Sequence, residues 1–171
     1  GGGTPRTRAS GLTAAAAAGL VGLDEADIAG EATWIDTGSE QLLVPVRSAA
    51  AVRRARPDAS ALAGWPTNDR GNRMLYLFAL TEPSSGDRAG AVEARFFFDA
   101  GLGLAEDPGT GSACANLGGW LRVTGHALPA RHAVAQGEAT GRPCHLTLAV
   151  DAGRVQVGGR VVPIGRGEVT I

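Results

Sequence analysis

The chain has 171 residues, enough for a domain that buries about two-thirds of its extended surface without disulfide or metal staples. Apolar residues make up 44% and charged residues 19%, with 16 basic against 17 acidic side chains and a net charge of -1, which excludes a disordered chain and a nucleic-acid binder that works by charge. Every basic residue is Arg, so Schiff-base chemistry and a phosphate-loop lysine are excluded as well.

Residues 1–10 read as a flexible tail or linker remnant. Their Gly-rich start lacks the charged-then-apolar order of a signal peptide, and a cytoplasmic location is expected. Thr13 to Leu20 is an Ala-rich helix with Thr13 as its cap. Asp24 to Glu40 carries six acids and no base, read as solvated turns around a strand at Ala32–Ile35. Gln41–Val46 (QLLVPV) is a short apolar strand, with Pro45 pointing to an edge or a bulge. Ser48 to Arg56 is a helix whose polar face holds the bases, stopped by Pro57.

Two central strands follow. Met74–Leu80 is an apolar run of strand length. Val92–Asp99 alternates, with Val92, Ala94, Phe96 and Phe98 on one face and Glu93, Arg95, Phe97 and Asp99 on the other. The turn-rich TEPSSGDRAG between them closes a hairpin. After the loop GLGLAEDPG, a helix over 112–123 is capped by Thr110 or Ser112, with Ala113, Leu117, Trp120, Leu121 and Thr124 on one side. Gly118 and Gly119 within it imply close approach of a neighbouring element, since each costs about 1 kcal/mol relative to Ala. His126 and His132 fall in a loop rich in Gly, Ala, Pro and Arg. Cys144–Val150, Arg154–Val157 and Arg160–Ile164 read as strands, and Glu168–Ile171 as one more. The pattern lacks regular βαβ alternation, so the fold class is α+β: a strongly curved mixed or antiparallel sheet wrapped around a central helix.

The chemistry concentrates at Glu106-Asp107-Pro108-Gly109-Thr110-Gly111-Ser112-Ala113. Two carboxylates precede a Gly-x-Gly turn that opens into the helix. N–H groups of a first helical turn are unpaired and sit at the positive dipole end, and glycines let a ligand approach them. An anion held by Gly111, Ser112 and Ala113 is one reading, with Ser112 adding a hydroxyl and Asp107 accepting a proton or orienting a substrate. The other is a plain cap and tight turn. Glu106 and Asp107, being adjacent, point in opposite directions and form no dyad. The spacing fits neither a Walker loop nor a G-x-S-x-G elbow. Gln136-Gly137 followed by Gly141-Arg142 is a second cluster, read equally as a structural turn or a substrate contact. Arg47 and Arg95 are either solvated or anion-orienting. Cys114 and Cys144 read as reduced, buried cysteines. Three His without zinc spacing offer no metal site, and no apolar run is long enough to span a membrane.

Asp107-Pro108-Gly109-Thr110-Gly111-Ser112-Ala113, together with Gln136-Gly137, Gly141-Arg142, Val157-Gly158-Gly159 and the TGSEQLLVPV stretch, resembles the phenazine-biosynthesis PhzF-like family. That family has the diaminopimelate-epimerase fold. The resemblance runs from about residue 30 to the end and covers only the family's second domain, so residues 11–171 are expected to form one such domain. Gly109 stands where the family usually has Ala. The resemblance implies a cofactor-independent isomerase or epimerase acting by proton transfer at carbon on a small carboxylate-bearing substrate. It implies catalytic roles for Asp107 and Ser112, and substrate binding by Gly109, Thr110, Gly111 and Ala113. The general acid/base Glu and its His belong to the family's first domain, and no matching segment occurs here. The expected partner is therefore a complementary first-domain polypeptide or a second copy of the chain, with no nucleic acid and no membrane. The isolated chain is expected to turn over little substrate and to expose an apolar docking face. The alternative is a non-catalytic small-anion-binding or protein-interaction module.

Overall fold

The alternation of one long strand separates two cores. The computed structural model describes residues 4–85 and 88–168. Among them are β1 (Arg6–Ala9), α1 (Ala14–Leu20), β2 (Thr33–Asp36), β3 (Gln41–Pro45), α2 (Ala49–Arg54), β4 (Met74–Glu82), β5 (Gly90–Asp99), β6 (Leu104–Asp107), α3 (Gly111–Val123), β7 (Ala130–Gln136), β8 (Cys144–Val150) and β9 (Val155–Gly159). On β5, Val92, Ala94 and Phe96 enter a core with Leu117 and Leu121 of α3, while Phe97 enters a core with Ala17, Ala18 and Val52 of α1 and α2.

The strands form one mixed sheet in the order β1-β2-β3-β4-β5-β7-β8-β9. The pairs β3–β4 and β5–β7 are parallel, and the rest are antiparallel. β7 pairs with the first part of β5, from Gly90 to Glu93, and β6 takes the last part, from Phe96 to Asp99. The helix α3 packs against β2 and β3 on one side and β8 and β9 on the other, so the sheet curves around it.

That crowding explains the two glycines of α3. A Cβ on Gly118 would meet Val155 Cγ1 at 2.6 Å, and one on Gly119 would meet Thr37 Cγ2 at 3.0 Å. The helix is threaded between opposite ends of the sheet; a side chain at Gly118 would force its neighbours to move, and at Gly119 it would fit only tightly. Thr13 caps α1 as its sequence implies, and Ser48 caps α2 in the same way, each accepting from an N–H three residues on.

Several expectations need correction. Residues 6–9 are not tail but β1, held to β2 by the Arg6–Asp36 pair, while Arg8 reaches Glu40 at 2.7 Å and lies over the Trp34 ring. The loop after β5 contains β6, hidden in the sequence by flanking glycines. The loop assigned to His126 and His132 contains β7, whose Ala130, His132, Val134 and Gln136 are buried. Pro45 sits at the end of a central strand, not at an edge. Its carbonyl accepts from Ala29 N–H, and on that side the β2 ladder has already ended at Thr33↔Leu43, so the missing N–H forfeits no ladder bond. Arg160–Ile164 forms no strand, and Val161, Val162 and Ile164 are exposed. Glu168 lies outside any strand, and residues 169–171 fall outside the described residues.

Candidate functional site

The short strand β6 sets the site. Its period of two sends Glu106 and Asp107 to opposite faces of the sheet, as their adjacency implies. Glu106 accepts from Arg95 Nε at 2.9 Å and from Nη2 at 2.7 Å, and Arg95 Nη1 donates to Ala55 O at 2.7 Å. Arg95 is buried over the Phe97 ring, so it is neither solvated nor free to hold a substrate. Arg47 donates to Ala26 O and does not line the pocket beside Ser112.

Asp107 faces the α3 side. Its Oδ2 accepts from Thr110 Oγ1 at 2.6 Å, and its backbone carbonyl accepts from Gln136 Nε2 at 2.8 Å. Gln136 is buried, its Oε1 accepts from Thr110 N–H at 3.4 Å, and its Nε2 also donates to Thr110 Oγ1 at 3.1 Å. Two backbone groups of opposite polarity thus fix the Gln136 amide. Thr110 Oγ1, already accepting from it, must give its own hydrogen to Asp107. The cap expected of Thr110 is absent, because its side chain serves Asp107 instead; only its carbonyl joins the helix, accepting from Cys114 N–H.

The two sequence clusters are in contact. Gly137 has φ +84°, and a Cβ there would lie 2.5 Å from Pro108 O. Gly109 has a different neighbour: a Cβ would meet Cys144 Sγ at 2.5 Å, which accounts for Gly where the family usually has Ala. Gly111 and Ser112 are exposed, whereas Ala113, expected to bind substrate, is fully buried in the core beside α3, so its N–H does not face a ligand. Among the described residues, no oxygen accepts from the N–H groups of Gly111, Ser112 or Ala113.

Sequence reasoning missed Gln41 and Asn116, both buried on the α3 side. Asn116 Nδ2 donates to Gln41 Oε1 at 2.8 Å, and Gln41 Nε2 donates to Ser112 Oγ at 3.0 Å. A polar residue leading the apolar run of β3, and another inside a helix of small residues, were the available signals. With Asp107, Thr110 and Ser112, Gln41 lines a pocket of about 230 Å³ whose apolar wall is Met74, Phe96 and Phe98.

A cavity of about 440 Å³ on the opposite face is lined by Arg53, Arg56, Glu93, Arg95 and His145 among others. Its cations are already engaged: Arg53 with Glu93, Arg56 with the Arg53 and Ala55 carbonyls, Arg95 with Glu106. The smaller pocket is the better candidate, because among the described residues the Ser112 N–H and the Ser112 hydroxyl hydrogen on its wall meet no protein acceptor. His132 is buried on β7, and burial lowers its pKa, whereas His126 lies against the Trp120 ring. Neither lines the Ser112 pocket. Cys114 and Cys144 are unbonded; Cys114 is buried, which pushes its thiol up to about 12, whereas Cys144, expected to be buried, is only half-buried at the start of β8.

The profile described as phenazine biosynthesis-like protein matches residues 4–167. The chain belongs to that family. An uncharacterized isomerase of Pasteurella multocida is 35% identical over 153 residues, covering 89% of this chain and 48% of the relative. A phenazine biosynthesis protein of the PhzF family from Bacillus anthracis superposes with a TM-score of 0.72 at 19% identity, over 91% of this chain and 54% of that one, a likeness of fold. A predicted epimerase from Pseudomonas aeruginosa gives a TM-score of 0.61 at 25% identity, over 96% of this chain and 57% of that one. The chain therefore spans about half the length of the relatives it matches. These neighbours share the α+β architecture of a mixed sheet curved around a central helix. Among the described residues no helix is long and apolar enough to cross a membrane, which says nothing of a β-barrel.

Proposed function

We propose that this chain forms one wall of the active site of a cofactor-independent isomerase or epimerase, which moves a proton at carbon on a small carboxylate substrate. The observation that carries the reading is the polarity of the Ser112 pocket. Among the described residues the N–H groups of Gly111 and Ser112, at the exposed start of α3, meet no acceptor, and the Asp107 carboxyl, oriented by Thr110, lines the pocket beside Ser112. The substrate carboxylate binds the N–H groups of Gly111 and Ser112 and the Ser112 hydroxyl, where the helix dipole favours an anion. Asp107 accepts a hydrogen bond from a substrate amine or hydroxyl. Met74, Phe96 and Phe98 keep water from one side of the ring or chain between them.

Proton transfer at carbon needs a base within about 3 Å of the proton. Asp107 is the one titratable group among the residues lining this pocket. The opposing acid/base group therefore comes from outside these residues, from a complementary first domain or a second copy of the chain. The length of the relatives and the exposed Val161, Val162 and Ile164 support this reading.

The test is titration of the chain with 2-aminobenzoate, followed by amide NMR, and solvent-deuterium exchange after co-expression with a complementary first domain. The expected result is shifts centred on Gly111 and Ser112, with exchange that requires both domains and is lost in Asp107→Asn. Robust proton exchange by the single chain, unaffected by Asp107→Asn, overturns it. Shifts without exchange in the complex favour the non-catalytic binding module.

A further inference from the structure

We propose that Asn116 and Gln41 are positioning residues that force the Ser112 hydroxyl to act as a donor toward the bound carboxylate. The inference rests on the placement of substrate proposed above, and adds to it a buried relay of hydrogen-bond polarity.

The relay starts from the backbone, where polarity admits no choice. Thr37 N–H, which can only donate, lies 2.9 Å from one end of the Asn116 amide; Ser39 C=O, which can only accept, lies 2.7 Å from the other. The first contact must be Oδ1 and the second Nδ2. Thr37 Oγ1 adds a second hydrogen bond to Oδ1 at 2.7 Å. Asn116 is fully buried, so no water offers an alternative.

The consequence propagates outward. Asn116 Nδ2 also meets Gln41 at 2.8 Å, and that contact must be Gln41 Oε1. The Nε2 of Gln41 is therefore the atom 3.0 Å from Ser112 Oγ. A hydroxyl accepting from an amide N–H must direct its own hydrogen elsewhere. Among the described residues Ser112 donates to no protein acceptor, and its side of Gln41 opens on the pocket. The hydroxyl thus meets a ligand as a pre-oriented donor, reinforcing the neighbouring N–H groups. Were the amides reversed, the same serine would present a lone pair to the anion. Sheet and helix are both needed, since Thr37, Ser39 and Gln41 flank or belong to β3 and Asn116 and Ser112 belong to α3.

The test is a double-mutant cycle on the affinity of the full chain for 2-aminobenzoate. In the parent chain Ser112→Ala is expected to weaken binding about tenfold, as loss of one hydrogen bond to a charged group does. Two backgrounds reverse the relay. Asn116→Asp removes the donor to Gln41, so the Gln41 amide turns over and its oxygen captures the Ser112 hydrogen. Gln41→Glu places an acceptor there directly while keeping the hydrogen bond from Asn116, and so remains available if Asn116→Asp does not fold. In a folded reversed background, Ser112→Ala is expected to change affinity by less than about twofold. A tenfold effect that persists with Gln41→Glu overturns the relay and leaves the proposed carboxylate site standing. No effect of Ser112→Ala in the parent chain overturns both.

Discussion

Glu106 and Asp107 are neighbours in sequence with opposite environments. Glu106 closes a largely buried ion pair with Arg95 of the neighbouring strand, and it orients Arg95 to donate to the Ala55 carbonyl at the end of α2. Asp107 spends one oxygen on Thr110 and borders an open pocket. The strand period separates a carboxylate that stabilises from one placed to meet a ligand. Chemical type alone therefore says little about role; the face decides.

The largest effect expected is on the structural side. Glu106→Gln leaves the Arg95 charge buried without its partner and should lower unfolding free energy by about 3–5 kcal/mol. Asp107→Asn keeps an oxygen for Thr110 and should change it by less than about 1 kcal/mol while removing exchange activity in the complex. Urea denaturation of both variants measures the contrast. Equal losses would abolish the distinction between the two faces.

The glycines sharpen it further. Gly118→Ala drives a methyl into Val155 and should destabilise by about 1–3 kcal/mol. Gly111→Ala meets open space, so it should leave the melting temperature nearly unchanged yet weaken 2-aminobenzoate binding, because the methyl stands where the ligand approaches. Between these lies Gly109. Gly109→Ala should cost about 1–2 kcal/mol against Cys144, and Gly109→Ala with Cys144→Ala should recover most of it. Additive losses would show that Cys144 is not the obstacle.

The smallest effect concerns β1. The Arg8 hydrogen bond holds the Glu40 carboxyl below the usual glutamate range. A carboxyl whose folded pKa is depressed contributes stability above its unfolded pKa, near 4.3, and loses it as pH falls through the folded value. Arg8 is half exposed, so solvent screening limits the contribution to less than about 1 kcal/mol. Stability of the parent chain should therefore decline more than that of Glu40→Gln as the pH is lowered below about 4.3.

What the sequence disclosed follows the same division. The stretch from Glu106 to Ala113 was legible because its geometry is local: a carboxylate, a glycine turn and a helix start within eight residues. Gln41 and Asn116 were not, because their meaning lies in contacts across 71 to 79 positions. The alternation of β5 was carried by bulky residues and could be read. That of β7 was carried by Ala, Arg and His, whose small or charged side chains resemble a loop until the partner strand β8 is in place. Arg95 looked solvated because nothing nearby in sequence announces Glu106 and the Ala55 carbonyl as its partners.

The separation of the segments around Ser112 also has a kinetic consequence. Thr37, Gln41, Asn116 and Ser112 meet only after β3 has paired in parallel with β4 and α3 has docked against both ends of the sheet. Such contacts incur loop-closure entropy before they are rewarded, and folding slows accordingly, to the millisecond-to-second range. Capture of 2-aminobenzoate during refolding should then lag behind the appearance of helix, and its time course would report the final closure of the sheet.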